Sequence, residues 1–194
     1  MMQRMLILLV IGGMLVWGGC KTLKELANFA RCKFRYTNIT QTQLAGVDVT
    51  KVMNYKDLNF TDAAKVGANL AQGRLPLNFI INLQVNNPNA EKAALNKLDW
   101  IALIDDKELV KGVLNQRVEI ASGQTATLPL TVNADLIQAF KGESKDKLPS
   151  YAFGLADNNG KPRRVGMKVK PTIMVGGASF AYSGWITLSQ EFKE

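Results

Sequence analysis

Histidine is absent from all 194 residues, and cysteine occurs only twice, at Cys20 and Cys32. Without histidine, neither a Ser-His-Asp or Cys-His nucleophile pair nor a histidine-liganded zinc site can be assembled. Two cysteines are too few for a cysteine-rich metal cage. No run of lysine and arginine interleaved with aromatic residues is present, so no nucleic-acid partner is expected. Carboxylate chemistry stays open. Asp99, Asp105, Asp106 and Glu108 are the acidic cluster a glycan hydrolase would use. Alternation along a strand throws neighbouring side chains onto opposite faces, however, and turn chemistry accounts for Asp105-Asp106 more simply. The chain therefore reads as a non-enzyme, with no catalytic residues, cofactor or metal site.

What the sequence does have begins with a leader. Arg4 precedes an apolar run from Met5 to Trp17, followed by Gly18-Gly19-Cys20. This is the layout of a secretory signal, with a core short for a membrane span. Trp17-Gly18-Gly19-Cys20 resembles the bacterial lipobox, in which the cysteine becomes the lipidated first residue of the mature chain. Trp17 stands where an aliphatic residue is usual. Two readings follow: lipidation at Cys20, or an uncleaved anchor helix. Diacylglycerol on a thioether supplies two acyl chains, enough for stable anchoring where one is marginal. The formal net charge is +8. Solubility is the simpler account of that charge, and affinity for anionic lipid or polyanionic glycan the sharper one.

After Cys20, Leu23, Leu26, Ala27 and Ala30 fall at helical spacing within residues 21–35, with Lys21, Lys24, Glu25 and Arg31 elsewhere on the wheel. The helix this predicts either rests on phospholipid as a basic collar or packs on one end of the following domain. Cys32 has no evident disulfide partner once Cys20 carries lipid and reads as a buried, inert thiol. Phe34 to Met53 reads as one long or two short strands, with a bulge at Ala45-Gly46. Thr61 or Asp62 is expected to cap a helix that ends near Gly73, with Ala63, Val66 and Leu70 on its packed side.

The most informative stretch runs from Leu75 to Val132. Leu77, Phe79, Ile81, Leu83 and Val85 alternate with polar residues, Ile80 excepted, which predicts a strand with one buried and one wet face. Asn87-Pro88-Asn89 closes it as a turn, because proline removes a ladder donor and asparagine readily makes Asx turns. Leu98 to Ile104 is apolar on both faces at its centre and is expected to be central in its sheet. Asp105-Asp106-Lys107 is a tight turn. Glu108 to Ile120 reads as one or two strands interrupted at Gly112. Ala126, Leu128, Leu130 and Val132 alternate with Thr125, Thr127, Pro129 and Thr131, and the outward Pro129 suggests an edge strand or a bulge.

Beyond Val132, residues 134–140 predict a short helix with Asp135 near its start, and Gly142 to Lys147 an exposed charged loop. Tyr151 to Leu155 alternates like a strand. Asn158 to Pro162 reads as a turn, with Arg163-Arg164 at a solvated hairpin end. Val165, Met167 and Val169 make a strand with Lys168 and Lys170 opposite. Gly176-Gly177 is a hairpin turn rather than a phosphate loop, and a last strand places Phe180, Tyr182, Gly184, Ile186 and Leu188 against Trp185.

The series LNFIINLQVNNPNA, LDWIALIDDKELVKG and IASGQTATLPLTV resembles the water stress and hypersensitive response domain of the group 2 late embryogenesis abundant (LEA type 2) proteins, in its bacterial lipoprotein form. The resemblance is densest over Leu75 to Asp135. It implies an immunoglobulin- or fibronectin-III-like β-sandwich without known catalytic residues, linked to desiccation and stress. The organisation expected is a signal peptide over 1–19, an anchor-proximal helix or linker over 20–33 and the sandwich over 34–194. Function is then that of a binding or stress-protective module, lipid-anchored through Cys20 in the bacterial cell envelope, at the outer membrane facing the periplasm. Its partners would be the membrane and envelope proteins or glycans. The alternative is a structural or accessory subunit of an envelope or secretion assembly, joined to its neighbours through an edge strand.

Overall fold

In the computed structural model, which describes residues 21–153, 155 and 165–188, the alternation from Leu77 to Val85 is realised in full. Pro76–Asn86 is a strand whose odd-numbered side chains, Leu77 to Val85, are all buried while the even-numbered ones are half-exposed. Burying those five contributes about 7–15 kcal/mol gross, at about 1.5–3 kcal/mol each, an upper bound because the unfolded chain already hides part of that area.

The strands in chain order are β1 (Lys33–Leu44), β2 (Val47–Asp48), β3 (Pro76–Asn86), β4 (Ala93–Leu95), β5 (Lys97–Ile104), β6 (Lys107–Leu114), β7 (Val118–Ile120), β8 (Thr125–Asp135), β9 (Val165–Val175), β10 (Ala178–Ala181) and β11 (Ile186–Leu188). One antiparallel sheet has the order β2-β1-β3-β8, and a second β10-β9-β5-β6, with β11 also on β9. β4 and β7 form a separate two-stranded ribbon. The inward residues of both sheets share one core: Phe79, Ile81 and Leu83 from the first pack with Trp100, Met167 and Val169 from the second. The chain changes sheets between β3 and β5, again between β6 and β8, and again between β8 and β9. The fold is mainly β, a sandwich with crossing connections of the immunoglobulin and fibronectin-III kind.

The helices are α1 over residues 21–30, α2 (Phe60–Ala71) and α3 (Leu136–Ala139). α2 carries a fully buried Val66, as its spacing predicts, but its N-cap is Asn59, whose side chain accepts from the Asp62 amide. Asp62 lies inside the first turn, where its charge favours the dipole without serving as the cap. α3 is capped by Asp135, which accepts from the amides of Ile137 and Gln138.

β5 is central in its sheet and β8 is an edge strand with Pro129 facing outward, both as expected. Four local expectations are corrected. Ala45-Gly46 is not a bulge: both residues have positive φ, 51° and 76°, and they turn the chain between β1 and β2. The irregularities of β1 lie instead at Tyr36/Asn38 and Thr40/Gln43. Gly112 does not interrupt β6, which ends at Leu114. A Cβ there would stand 1.9 Å from Cζ2 of Trp100, so this glycine is where the strand makes room for an indole on its cross-strand neighbour. Tyr151 to Leu155 is not a strand. Tyr151, Ala152, Phe153 and Leu155 are all buried, which alternation could not achieve, and the segment follows a 3-10 helix over Lys145–Tyr151. Tyr151 stacks on Phe140 at 4.3 Å between ring centroids.

The fourth correction concerns the C-terminal strand, which is broken. β10 pairs Ala181 with Thr172 and β11 pairs Ile186 with Val169, so five steps of chain cover three steps of partner. Pro171 has no N–H to offer the ladder at that point. The Tyr182 amide donates to the Pro171 carbonyl, and the chain then loops through Gly184 at φ 127°.

Candidate functional site

Two neighbouring features distinguish one end of this sandwich: the way α1 is fastened to it, and the outer face of the five-stranded sheet.

α1 buries a different stripe from the one its apolar spacing predicts. Leu23 and Ala27 are exposed, while Glu25, Leu26, Asn28 and Phe29 are buried. Polar residues belong in that stripe because partners wait for them. Glu25 places Oε1 3.2 Å from Lys92 Nζ and Oε2 3.1 Å from Arg117 Nη2. Both cations also reach Glu119, Lys92 at 3.2 Å and Arg117 at 2.6 Å. The hydrogen bond from Arg117, followed by that from Lys92, holds the Glu119 carboxyl below its ordinary value; the same carboxylates push Lys92 and Arg117 upward.

The Asn-Pro-Asn turn completes the attachment. Asn87 makes the expected Asx turn, its Oδ1 accepting from the Asn89 amide at 3.1 Å. It is also fully buried, and its Nδ2 donates to the carbonyls of Glu91, Ile120 and Ala121. Asn89 Nδ2 donates at 2.9 Å to the carbonyl of Asn28 in the last turn of α1, and Asn28 Nδ2 donates back to the Lys92 carbonyl at 3.1 Å. The turn thus adds a side-chain donor to a helix-end carbonyl that also accepts from the Arg31 amide at 3.1 Å. Cys32 just beyond is buried, donates weakly to the same Asn28 carbonyl at 3.4 Å, and burial pushes its thiol up to about 11. A thiol held in that state is a poor nucleophile, in accord with the inert reading.

Leu26 packs on Ala94 and Ile173, with Val175 against them, so α1 abuts the end of β9. On the outward side of β9, β5 and β6 lies a groove of about 470 Å³. The register sets its rows: Val113, Asp99 and Lys170 stand side by side across three strands, with Trp185 at the end of the row. Lys97, Thr172 and Ala181 form the next row. Asp99 is held by Lys97 at 2.8 Å, and Lys111 by Glu108 at 3.3 Å. Among the described residues, Lys168 and Lys170 make no ion pair.

The residues weighed for carboxylate chemistry are not brought together. Asp99 lies in the groove and Glu108 at the far end of β6, where it faces Leu103. Asp105 and Asp106, at φ 50° and 64°, form the β5–β6 turn. Among the described residues no three of Cys, Asp or Glu are grouped to hold a metal. Cys20 lies outside the described residues, as do Asn158 to Pro162 and Arg163-Arg164. Among the described residues no helix is long and apolar enough to cross a membrane. Sequence reading missed the Glu25 and Asn87 networks, whose partners lie up to 92 positions away. Glu25 falls off the apolar stripe in the sequence, so nothing local marked it as buried.

No protein-family model matches the chain, and no curated protein matches it. A crystal structure of a protein from Archaeoglobus fulgidus is similar over 61% of this chain and 88% of its own, at 12% identity and a TM-score of 0.34.

Proposed function

We propose that this chain is a cell-envelope lipoprotein, anchored through lipid on Cys20, whose LEA type 2-like sandwich serves as a noncatalytic binding or stress-protective module at the outer membrane, facing the periplasm. The observation that carries the reading is the attachment of α1. The helix is in place at Lys21, one residue after the cysteine of the lipobox-like motif, and Glu25, Asn28 and Phe29 fasten it to the sandwich. A lipid at Cys20 would therefore hold the domain close against the bilayer, with no flexible spacer between them. The groove on the outer face of the five-stranded sheet is the surface such a module would present, and its lysines and half-exposed tryptophan suit an anionic or hydrogen-bonding envelope partner. A noncatalytic role is supported by the dispersed carboxylates, each of which has a structural occupation as a turn residue or an ion-pair partner.

A second reading, an accessory subunit of an envelope assembly, is favoured by β10, an edge strand whose four residues are all exposed. Membrane fractionation of the wild type and Cys20→Ser tests the first reading. The wild type is expected in the outer-membrane fraction, and its gene deletion is expected to lower survival of drying. A wild type released with soluble periplasmic proteins would overturn the anchor. Unchanged survival, together with co-purification of stoichiometric envelope proteins, would favour the second reading.

A further inference from the structure

The exposed apolar residues are unevenly distributed. Of the eight large hydrophobic side chains that are exposed among the described residues, four fall within Met174 to Trp185: Met174 (51%), Phe180 (40%), Tyr182 (37%) and Trp185 (43%). Val113 extends the set across the groove. Leu23 lies one helical turn before the Leu26 that packs on Ile173, which is Phe180's cross-strand partner. Met174 and Phe180 flank the Gly176-Gly177 hairpin on opposite faces of this edge, Tyr182 and Trp185 stand in the loop that follows β10, and such side chains are unsuited to bulk water. Lys168 and Lys170 lie on the outer face with Met174, without an ion-pair partner among the described residues. Aromatic rings with polar tips, flanked by lysine, are the composition that settles at a bilayer's headgroup level.

We infer that the β9–β10–β11 edge and the adjoining outer sheet face dock on the surface of an anionic bilayer. The hairpin's apolar rim enters the interface, and Lys168 and Lys170 lie against lipid phosphates. Two observations select lipid over a second copy or another protein. The lysines complement an anionic surface, whereas a second copy of this chain carries a like net positive charge. The chain also emerges beside this edge: α1 packs on the end of β9, and Cys20, where the anchored reading puts the lipid, directly precedes α1. The inference rests on the anchored reading and names the partner of that same groove.

The test uses full-length lipidated protein in phosphatidylcholine vesicles with and without phosphatidylglycerol, with bromine-labelled acyl chains as quenchers. The signal of Trp185 is taken as the wild type minus Trp185→Phe, which removes the contribution of Trp100, the other tryptophan of the chain from Cys20 onward and a buried one. Flotation with the vesicles is measured in the same samples and reports the anchor separately. Docking predicts that Trp185 is quenched at least about twofold in anionic vesicles, and that Lys168→Glu with Lys170→Glu, or high salt, relieves the quenching while flotation persists. Flotation with Trp185 unquenched by lipid and open to aqueous iodide overturns docking and leaves the anchor intact. Flotation with Trp185 shielded from both quenchers assigns the face to a protein and equally overturns it. Failure to float overturns the anchored reading, and docking with it.

Discussion

At the scale of single residues, the account turns on side chains whose work lies far from their neighbours in sequence. Asn87 was legible as a turn residue because its Asx bond is local. Its three Nδ2 donations depend on Glu91, Ile120 and Ala121 carbonyls brought in by the tertiary fold. Replacing it with alanine takes a donor from the Glu91 and Ile120 carbonyls, at about 1–3 kcal/mol each when sealed from water, while the Ala121 carbonyl keeps the Gln124 amide. Asn87→Ala is accordingly expected to lower unfolding stability by about 2–4 kcal/mol in a denaturant titration. A loss below about 0.5 kcal/mol would mean that solvent satisfies those groups. Gly112 makes the opposite argument, from space rather than bonding. Read along the chain it resembled a strand breaker; beside Trp100 it is the vacancy an indole occupies. Gly112→Ala should destabilise by about 1–3 kcal/mol through overpacking, and Trp100→Leu in the same chain should recover part of the loss, so that the two changes are non-additive in a double-mutant cycle. Strict additivity would show that the crowding at Trp100 is not the cause.

At the scale of elements, strands with one buried face were readable because their side-chain period is two, and β3 and β8 stand where that period puts them, while β5 was read from its doubly apolar centre. Breaks were harder to read. The loop between β10 and β11 follows from Pro171 on the partner strand, and no inspection of residues 180–188 alone could reveal it. α1 was legible as a helix but not by face, since its buried stripe includes a carboxylate that only Arg117 and Lys92 explain. Removing that carboxylate should loosen the helix while leaving the sandwich folded. Glu25→Ala is expected to raise amide exchange within residues 21–30 by about 10- to 100-fold, the equivalent of a lost charge-assisted hydrogen bond or two, with β3 unchanged. Equal exchange in both proteins would show that Leu26 and Phe29 hold the helix unaided. Acid should act on the same clamp. Glu119 is bound more tightly as its anion, so its contribution is complete above the ordinary glutamate value of 4.5 and is lost as pH falls through the lower folded-state value. Protection of β4 and β7, where Lys92, Arg117 and Glu119 meet, corrected for intrinsic exchange rates, should hold from neutral pH down to 4.5 and decline only below it. A decline already complete at pH 6 would exclude this carboxylate as the cause.

At the scale of the whole molecule, a mainly β sandwich was within reach of the sequence because alternating strands and turns recur from Leu75 to Val132, and one buried face per strand calls for two sheets face to face. The exposed apolar edge was not. Phe180 and Tyr182 read as one face of a last strand with Trp185 on the other, and the edge location of β10 with the loop that follows it leaves all three exposed. The shape of the assembled domain, a sandwich with its first helix fastened beside an apolar, lysine-flanked edge, has a single purpose in this account: to hold a binding module flat on the membrane that carries it. That purpose depends on what the cell does at Cys20. The most direct measurement is the intact mass of the protein purified in detergent from its native membrane, with the N-terminal peptide sequenced. The account predicts a mature chain that begins at Cys20 and carries diacylglycerol on its sulphur. A chain that begins elsewhere, or one whose Cys20 is an unmodified thiol, would contradict it.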